Sequence, residues 1–404
     1  MKVTVRKFPF PYQCALAISS DIDNADSESS FIELMTFFNT HKSTVYGNGL
    51  NLELGNSFWF YNESGTEQLS YFKPGGHQQS SFAPIIREHW KSGHIDSLHS
   101  YGNFDRGGFS RKHAELASEE LAKHSISLPV WTNHGIGLNT QKVGGYPEMF
   151  GDLPSHDSCH IDITKNLGCE YFWIGKSTHI IGQDARRTLS ILGKSFLQGL
   201  LKRTKYQHTS MPIFDNHNHL ISPITFRDGN AAWEFQRWIN SFGGTDNLDF
   251  NELERQLTPS ILNKLIANQG YMILYTHINE NCSTLTNKLE TYLHYLRELV
   301  NEKKILMATT SRLLKYKEIS DYVSFDVIEN DSTIILSIGQ KIDLPFVSKS
   351  LSPKDLQGLT FYVEENKDYR LFMNDTEIPT VTNPPDELGF SSVMIPWEKL
   401  EYPL

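Results

Sequence analysis

The sequence predicts an α/β fold: a distorted seven-stranded (β/α) barrel over residues 1–315, followed by a small antiparallel β-domain over residues 316–404. Three observations carry this. Between Cys14 and about Lys304, short apolar runs alternate with amphipathic segments, the arrangement of parallel strands joined by helical crossovers. Seven strand-like runs fall between Cys14 and Thr310, and none is followed by a GxGxxG or Walker-type glycine loop, so a barrel fits better than an open nucleotide-binding sheet. After about Lys315 the helical pattern stops, and short strands separated by turn clusters replace it.

The strand-like runs are CALAISSD (14–21), HIDSLHSY (94–101), LPVWTN (128–133), EYFWIG (170–175), MPIFD (211–215), YMILYTH (271–277) and ILMATT (305–310). Ser30 with Glu33 three residues on reads as a capping box for a helix with Phe31, Leu34, Met35 and Phe38 on one face. Pro84 opens the next helix and Gly93 closes it; Thr258 and Pro259 start another that ends at Gly270. The longest runs from about Ser283 to Asn301, with Leu285, Leu289, Leu293, Leu296 and Val300 at helical spacing. Beyond Lys315, residues 322–328, 332–338, 359–363 and 369–373 read as strands, separated by turn clusters such as Glu329-Asn330-Asp331 and Asn374-Asp375.

Composition narrows the function classes. The chain has 37 Lys and Arg against 47 Asp and Glu, a net charge of −10, and no block of basic residues, which argues against nucleic acid as partner. No stretch approaches the roughly 20 apolar residues of a membrane span. The N-terminal MKVTVRKFPFPYQ lacks an apolar segment, so no signal peptide is expected. The four cysteines (Cys14, Cys159, Cys169, Cys282) show no CxxC spacing and read as free thiols in a reducing compartment. The expectation is a soluble, cytoplasmic protein.

In parallel α/β domains, sites collect at the C-terminal ends of the strands. Here those ends are Asp21-Ile22-Asp23, His99-Ser100-Tyr101-Gly102-Asn103, Trp131-Thr132-Asn133-His134 and Thr276-His277. Carboxylates and imidazoles meeting at one mouth suit a metal-assisted hydrolysis, in which the ion polarises a carbonyl and acidifies a water, a carboxylate takes a proton and a histidine returns one. Singly, such an Asp is more often a helix cap or turn former; four strand ends offering these residue types together make the chemistry the stronger reading.

The order and spacing of these residues resemble the polysaccharide deacetylase superfamily, carbohydrate esterase family 4 type. The resemblance implies a distorted seven-stranded (β/α) barrel that removes N- or O-acyl groups from sugars with a divalent metal, commonly zinc. ALAISSDID is similar to the family's first motif, which makes Asp21 the base and Asp23 a metal ligand. Gly93-His94, four residues, His99, three residues and Asn103 follow the second motif, with His99 as ligand and Asn103 where a second His is expected; His134 and Asp105 are the nearest substitutes. Trp131–Gly135 corresponds to the wall of the site, implying substrate contacts from Trp131, Asn133 and His134, but it lacks the family's arginine. The fourth motif keeps its aromatics in Phe172-Trp173-Ile174-Gly175-Lys176 and loses its acid. Tyr271–His277 matches the last motif, making His277 the general acid. The resemblance covers about residues 10–305.

The resemblance implies an acylated sugar as substrate; with no signal peptide expected, an intracellular glycan precursor, such as an intermediate of a surface polysaccharide or O-antigen, is expected rather than finished wall polymer, and no oligomeric state is set. Two other classes stay open: a carbohydrate-binding protein whose catalytic motifs have decayed, and a glycoside-processing enzyme using Asp21 or Asp23 as nucleophile. Four further features carry weaker readings. Phe214–His219 contains an HxH pair that suits a metal or a polar groove, and His160 with Asp162 reads as a helix start. Phe58-Trp59-Phe60-Tyr61 with Tyr71-Phe72 suits sugar stacking or burial, and the loop Pro74–Ser81 is long enough for a lid. The C-terminal segment is expected to pack against the barrel.

Overall fold

The computed structural model describes residues 3–22, 25, 27–63, 68–134, 138–185, 193, 196–197, 218–243, 249–277, 284–330, 333–365 and 367–403. The expected strand 211–215, Asp23 and Cys282 lie outside them. The fold is mixed α/β around a curled, half-barrel sheet. In chain order its strands are β1 (Cys14–Asp21), β2 (Gly55–Phe58), β3 (Ile95–His99), β4 (Val130–Thr132), β5 (Tyr171–Trp173), β6 (Ile221–Thr225), β7 (Ala231–Phe235), β8 (Tyr271–His277) and β9 (Ile305–Met307). They are ordered β6-β7-β5-β4-β3-β2-β1-β8, all parallel except the β6–β7 hairpin. β8 pairs along all but the first residue of β1; β9 (at residues 14–16) and β2 (at 19–21) share the opposite edge.

Strand alternation sorts the side chains between two layers. Leu16 and Ile18 of β1, Met272 and Leu274 of β8, Leu98, Trp131 and Phe172 pack outward against the helices. Those helices are α1 (Glu28–Asn39), α2 (Ala83–Ser92), α3 (Arg111–Lys123), α4 (Ile161–Asn166), α5 (Pro259–Asn268) and α6 (Asn287–Asn301). Ala15 and Ala17 of β1, Tyr271 and Ile273 of β8, Val130 and Tyr171 form a separate inner core, covered by Leu313, Leu314 and Tyr316 of α7 (Thr310–Tyr322). Continued to the strand ends, the same alternation puts Asp21, His99, Trp173, Tyr275 and His277 on the inner face.

Helix ends follow the sequence closely. Gly93 caps α2 in the left-handed conformation (φ 79°), and the Thr258 side chain accepts from the Ile261 amide at the start of α5. At α1 the expected capping box is displaced. Ser27, in an extended conformation, is the cap and accepts from the Ser30 amide at 3.3 Å, so Ser30 is already inside the helix.

β2, β6 and β7 carry no strand signal of the kind used above. β2 is Gly-Asn-Ser-Phe, poor in β-branched residues, and is held by burial and by Asn56 Nδ2 donating to the His94 carbonyl at 2.9 Å.

The expected boundary after residue 315 falls inside α7, whose Tyr316 packs in the inner core and whose Ile319 packs among the C-terminal strands. The chain's first strand, Thr4–Val5, pairs antiparallel with Thr360–Tyr362, so the N-terminal segment joins the C-terminal strands. These strands are also not wholly antiparallel. Phe325–Asn330 and Thr333–Ile338 form a hairpin, but Thr333–Ile338 pairs parallel with Asp368–Met373 across a long connection. Asn374-Asp375 makes the expected turn, with φ of 51° and 60°, before Thr376–Ile378. The tail returns to the half-barrel: Tyr402 Oη lies 3.0 Å from His89 Nε2 on α2. Among the described residues, no helix is long and apolar enough to cross a membrane.

Candidate active site

The register of the sheet builds the site. His277 is the direct partner of Asp21, and Asp21 of Ser57, so the last residues of β8 and β1 stand beside β2 at one level. Asp21 is 2 % exposed. Its Oδ1 accepts from Ser57 Oγ at 2.5 Å, while Oδ2 lies 3.8 Å from His277 Nε2 and 3.9 Å from His99 Nδ1. Burial by itself pushes this carboxyl up, but His99, Arg237, His277 and the Ser57 hydrogen bond together outweigh it and hold Asp21 below the usual carboxylate range. Asp21 is therefore an ionised carboxylate in a dry setting.

A second contact extends the cluster. His134, just beyond β4, is anchored by its amide donating to Ser100 Oγ at 2.9 Å. Its Nδ1 stands 3.1 Å from His99 Nε2, and its Nε2 lies 3.8 Å from Asp105 Oδ2. Burial, reinforced by His99, pushes His134 well below its ordinary range, so the ring is neutral. Trp59 stacks on His99 (centroids 5.6 Å apart, planes at 15°) and meets His134 edge-on, fixing both rings.

The site also holds a cation that no motif in the sequence marks. Arg237, on the short strand Arg237–Trp238, is 1 % exposed; its Cζ lies 4.4 Å from the Trp173 ring centre and 5.0 Å from that of Tyr275. Among the described residues its Nε and Nη2 are buried without a hydrogen-bond partner. Burial disfavours the charge and Asp21 is the first of the groups that favour it, which couples the two across the inner face. The segment Trp131–Gly135 has no arginine, so the positive charge near Asp21 comes from a different part of the chain. Its only signal was an Arg within Ala231–Ile239, a run buried almost throughout.

Arg237→Met is accordingly expected to raise the Asp21 carboxyl toward its ordinary range, because losing a nearby cation favours the neutral acid. The acid limb of activity against pH then moves to higher pH; a limb that stays in place contradicts the coupling.

Of the expected site residues, Asp21, His99, His134 and His277 come together. Asn103 does not join them through its side chain, whose Oδ1 accepts from the Asp105 amide at 3.2 Å. Asn103 lies instead in a ribbon where Gly102–Asn103 pairs with Tyr61–Asn62, so tight that a Cβ on Gly102 would sit 2.1 Å from the Tyr61 carbonyl oxygen. Trp131 and Asn133 are not placed as a substrate wall. Trp131 is on the outward face of β4, packed on Tyr101 and His160, and donates from Nε1 to Asn133 Oδ1 at 2.8 Å. Asn133 is spent on the backbone of Val143, donating to its carbonyl at 2.7 Å and accepting from its amide at 3.1 Å.

Residues 214–217 of the HxH segment lie outside the described residues, and His219 sits 3.2 Å from Asp184 Oδ1. His160 is the N-cap of α4, its two ring nitrogens engaged by Thr164 Oγ1 and the Gln141 carbonyl. Phe58, Phe60, Tyr61, Tyr71 and Phe72 are buried in the outer core.

Two nitrogens held by one ion at 2.0–2.1 Å are about 2.9–3.4 Å apart; the 3.1 Å between His99 Nε2 and His134 Nδ1 has that spacing. Among the described residues no group of three His, Cys, Asp or Glu side chains forms a complete metal site. The two imidazoles, at hydrogen-bond distance from one another, supply two nitrogen donors, short of a complete set.

No family model matches the chain, and no curated protein matches it.

Proposed function

We propose that this protein is a metal-dependent deacylase, similar to the polysaccharide deacetylases, that hydrolyses an N- or O-acyl group on a sugar. The observation supporting this most strongly is the convergence of His99 and His277 on the buried, ionised Asp21, from the C-terminal ends of three parallel strands. In this reading Asp21 is the general base, kept charged by His99, Arg237 and His277 and aligned by Ser57. His277, at 3.8 Å from the same carboxylate, carries the proton to the leaving amine or alcohol. His99 and His134 would hold the divalent ion, zinc in the first instance, with Asp23 as the further ligand that the resemblance implies. When bound, the ion supplies polarisation of the acyl carbonyl and acidification of the attacking water. Trp59 and the buried strand ends keep other water from the carboxylate.

Acetate release from N- and O-acetylated sugars is the direct test. The expected result is release that a chelator abolishes and added zinc restores. No release from any acetylated sugar, or release indifferent to the chelator, overturns the proposal.

A further inference from the structure

Asp105 faces the site and has no part in the reaction as proposed. Its amide donates to Asn103 Oδ1 at 3.2 Å, an Asx turn that occupies the Asn103 side chain. Its carbonyl accepts from the Leu138 amide at 3.1 Å, and its Oδ1 accepts from Asn139 Nδ2 at 3.2 Å. The carboxylate is thereby turned so that Oδ2 meets His134, 3.8 Å from Nε2.

The His134 ring is equally fixed. Trp59 meets it edge-on, and the His134 amide donates to Ser100 Oγ at 2.9 Å. Nδ1 stands 3.1 Å from His99 Nε2, while Nε2 is buried without a hydrogen-bond partner among the described residues. Burial keeps the ring neutral, so it carries one hydrogen, on Nδ1 or on Nε2. Electrostatics decides between them. A lone pair on Nε2 would aim negative charge at the Asp105 carboxylate, whereas an N–H there is attracted to it, and a buried position screens the difference weakly. The hydrogen therefore belongs on Nε2. Nδ1 then presents a lone pair toward His99, able to accept an N–H from that ring or to take a cation.

We propose that Asp105 is a positioning residue that holds the His134 hydrogen on Nε2 and so keeps a lone pair on Nδ1, facing His99. The tautomer stands on the geometry; its use in holding a divalent ion rests on the deacylase reading. A metal-binding histidine commonly donates its other ring N–H to a carboxylate, and loss of that carboxylate lowers metal affinity about 10–100-fold.

The test uses the full chain with isotope-labelled histidine rings, freed of metal by a chelator, at neutral pH. NMR separates ring nitrogens that carry hydrogen from those that carry a lone pair, and the His134→Gln spectrum assigns the His134 signals. Asp105→Asn is the sharpest variant: with its oxygen still on Asn139, the new amide donor faces His134 Nε2 and favours a lone pair there. Wild type is expected to carry the hydrogen on Nε2 and Asp105→Asn to carry it on Nδ1, with zinc affinity lowered about 10–100-fold. Asp105→Ala leaves the backbone hydrogen bonds in place and is expected to shift the hydrogen toward Nδ1 as well. Unfolding midpoints show that the variants fold. Hydrogen on Nδ1 in wild type, hydrogen kept on Nε2 in both folded variants, or zinc bound as tightly by both as by wild type overturns the proposal. Failure of the deacylase reading shows separately, as the expected tautomers in a protein that takes up no zinc and releases no acetate.

Discussion

Asp21→Asn is expected to lower acetate release by about 10²–10⁴-fold, the usual contribution of a general base. The substitution keeps the size of the side chain and an oxygen able to accept from Ser57, so the strand ends stay in place. It removes the charge on which His99 and His277 converge. The variant also reports on stability. A carboxyl held below its unfolded value contributes stability that is fully present above that unfolded value, about 3.9, and is lost as pH falls through the lower folded value. The difference in unfolding free energy between wild type and Asp21→Asn should therefore shrink as the pH drops below about 4. Steady-state rates of the purified proteins decide the catalytic claim; a variant with wild-type turnover removes Asp21 from it.

The largest loss of stability is expected from Glu53→Ala. Glu53 is 1 % exposed and its carboxylate takes Arg312 Nη1 at 2.7 and 2.6 Å, the Thr309 amide at 3.2 Å and the Leu400 amide at 3.0 Å. One carboxylate thus ties the approach to β2, the start of α7 and the C-terminal tail. Truncation leaves the half-buried Arg312 without its carboxylate and two amides without their acceptor. Removing one partner of a buried ion pair costs about 3–5 kcal/mol. Denaturant unfolding should show a loss of that size; a loss within 0.5 kcal/mol or so, as at ordinary surface positions, contradicts the hub.

The strands with strong apolar runs were legible because burial on both faces leaves an unbroken hydrophobic signature. β1 and β8 match their expected limits residue for residue, and with them Asp21 and His277 at their ends. His99 was equally legible at the end of β3. β2 was not, because tertiary burial overrides the weak strand preference of Gly-Asn-Ser-Phe, and with β2 went Ser57, the hydrogen-bond partner of Asp21. Arg237 was hidden for a related reason. It follows the β6–β7 hairpin, which carried no strand reading, and only the curl of the sheet brings it near β1. Trp131 and Asn133 show the limit of placing residues by motif alone: adjacent positions on a strand face opposite layers, so Trp131 points to the helices while Thr132 continues the inner face. The placement of His134 near His99 was legible from their strand ends, but the direct 3.1 Å contact across 35 positions was not.

The central claim is that the pair His99–His134 belongs to a metal-dependent site centred on Asp21. Elemental analysis of protein purified without chelator, beside His99→Ala and His134→Ala, tests it most directly. The account predicts about one zinc or other divalent ion per chain in wild type and its loss in both variants. Wild type that takes up no metal even after zinc addition, or variants that retain it in full, would contradict the account.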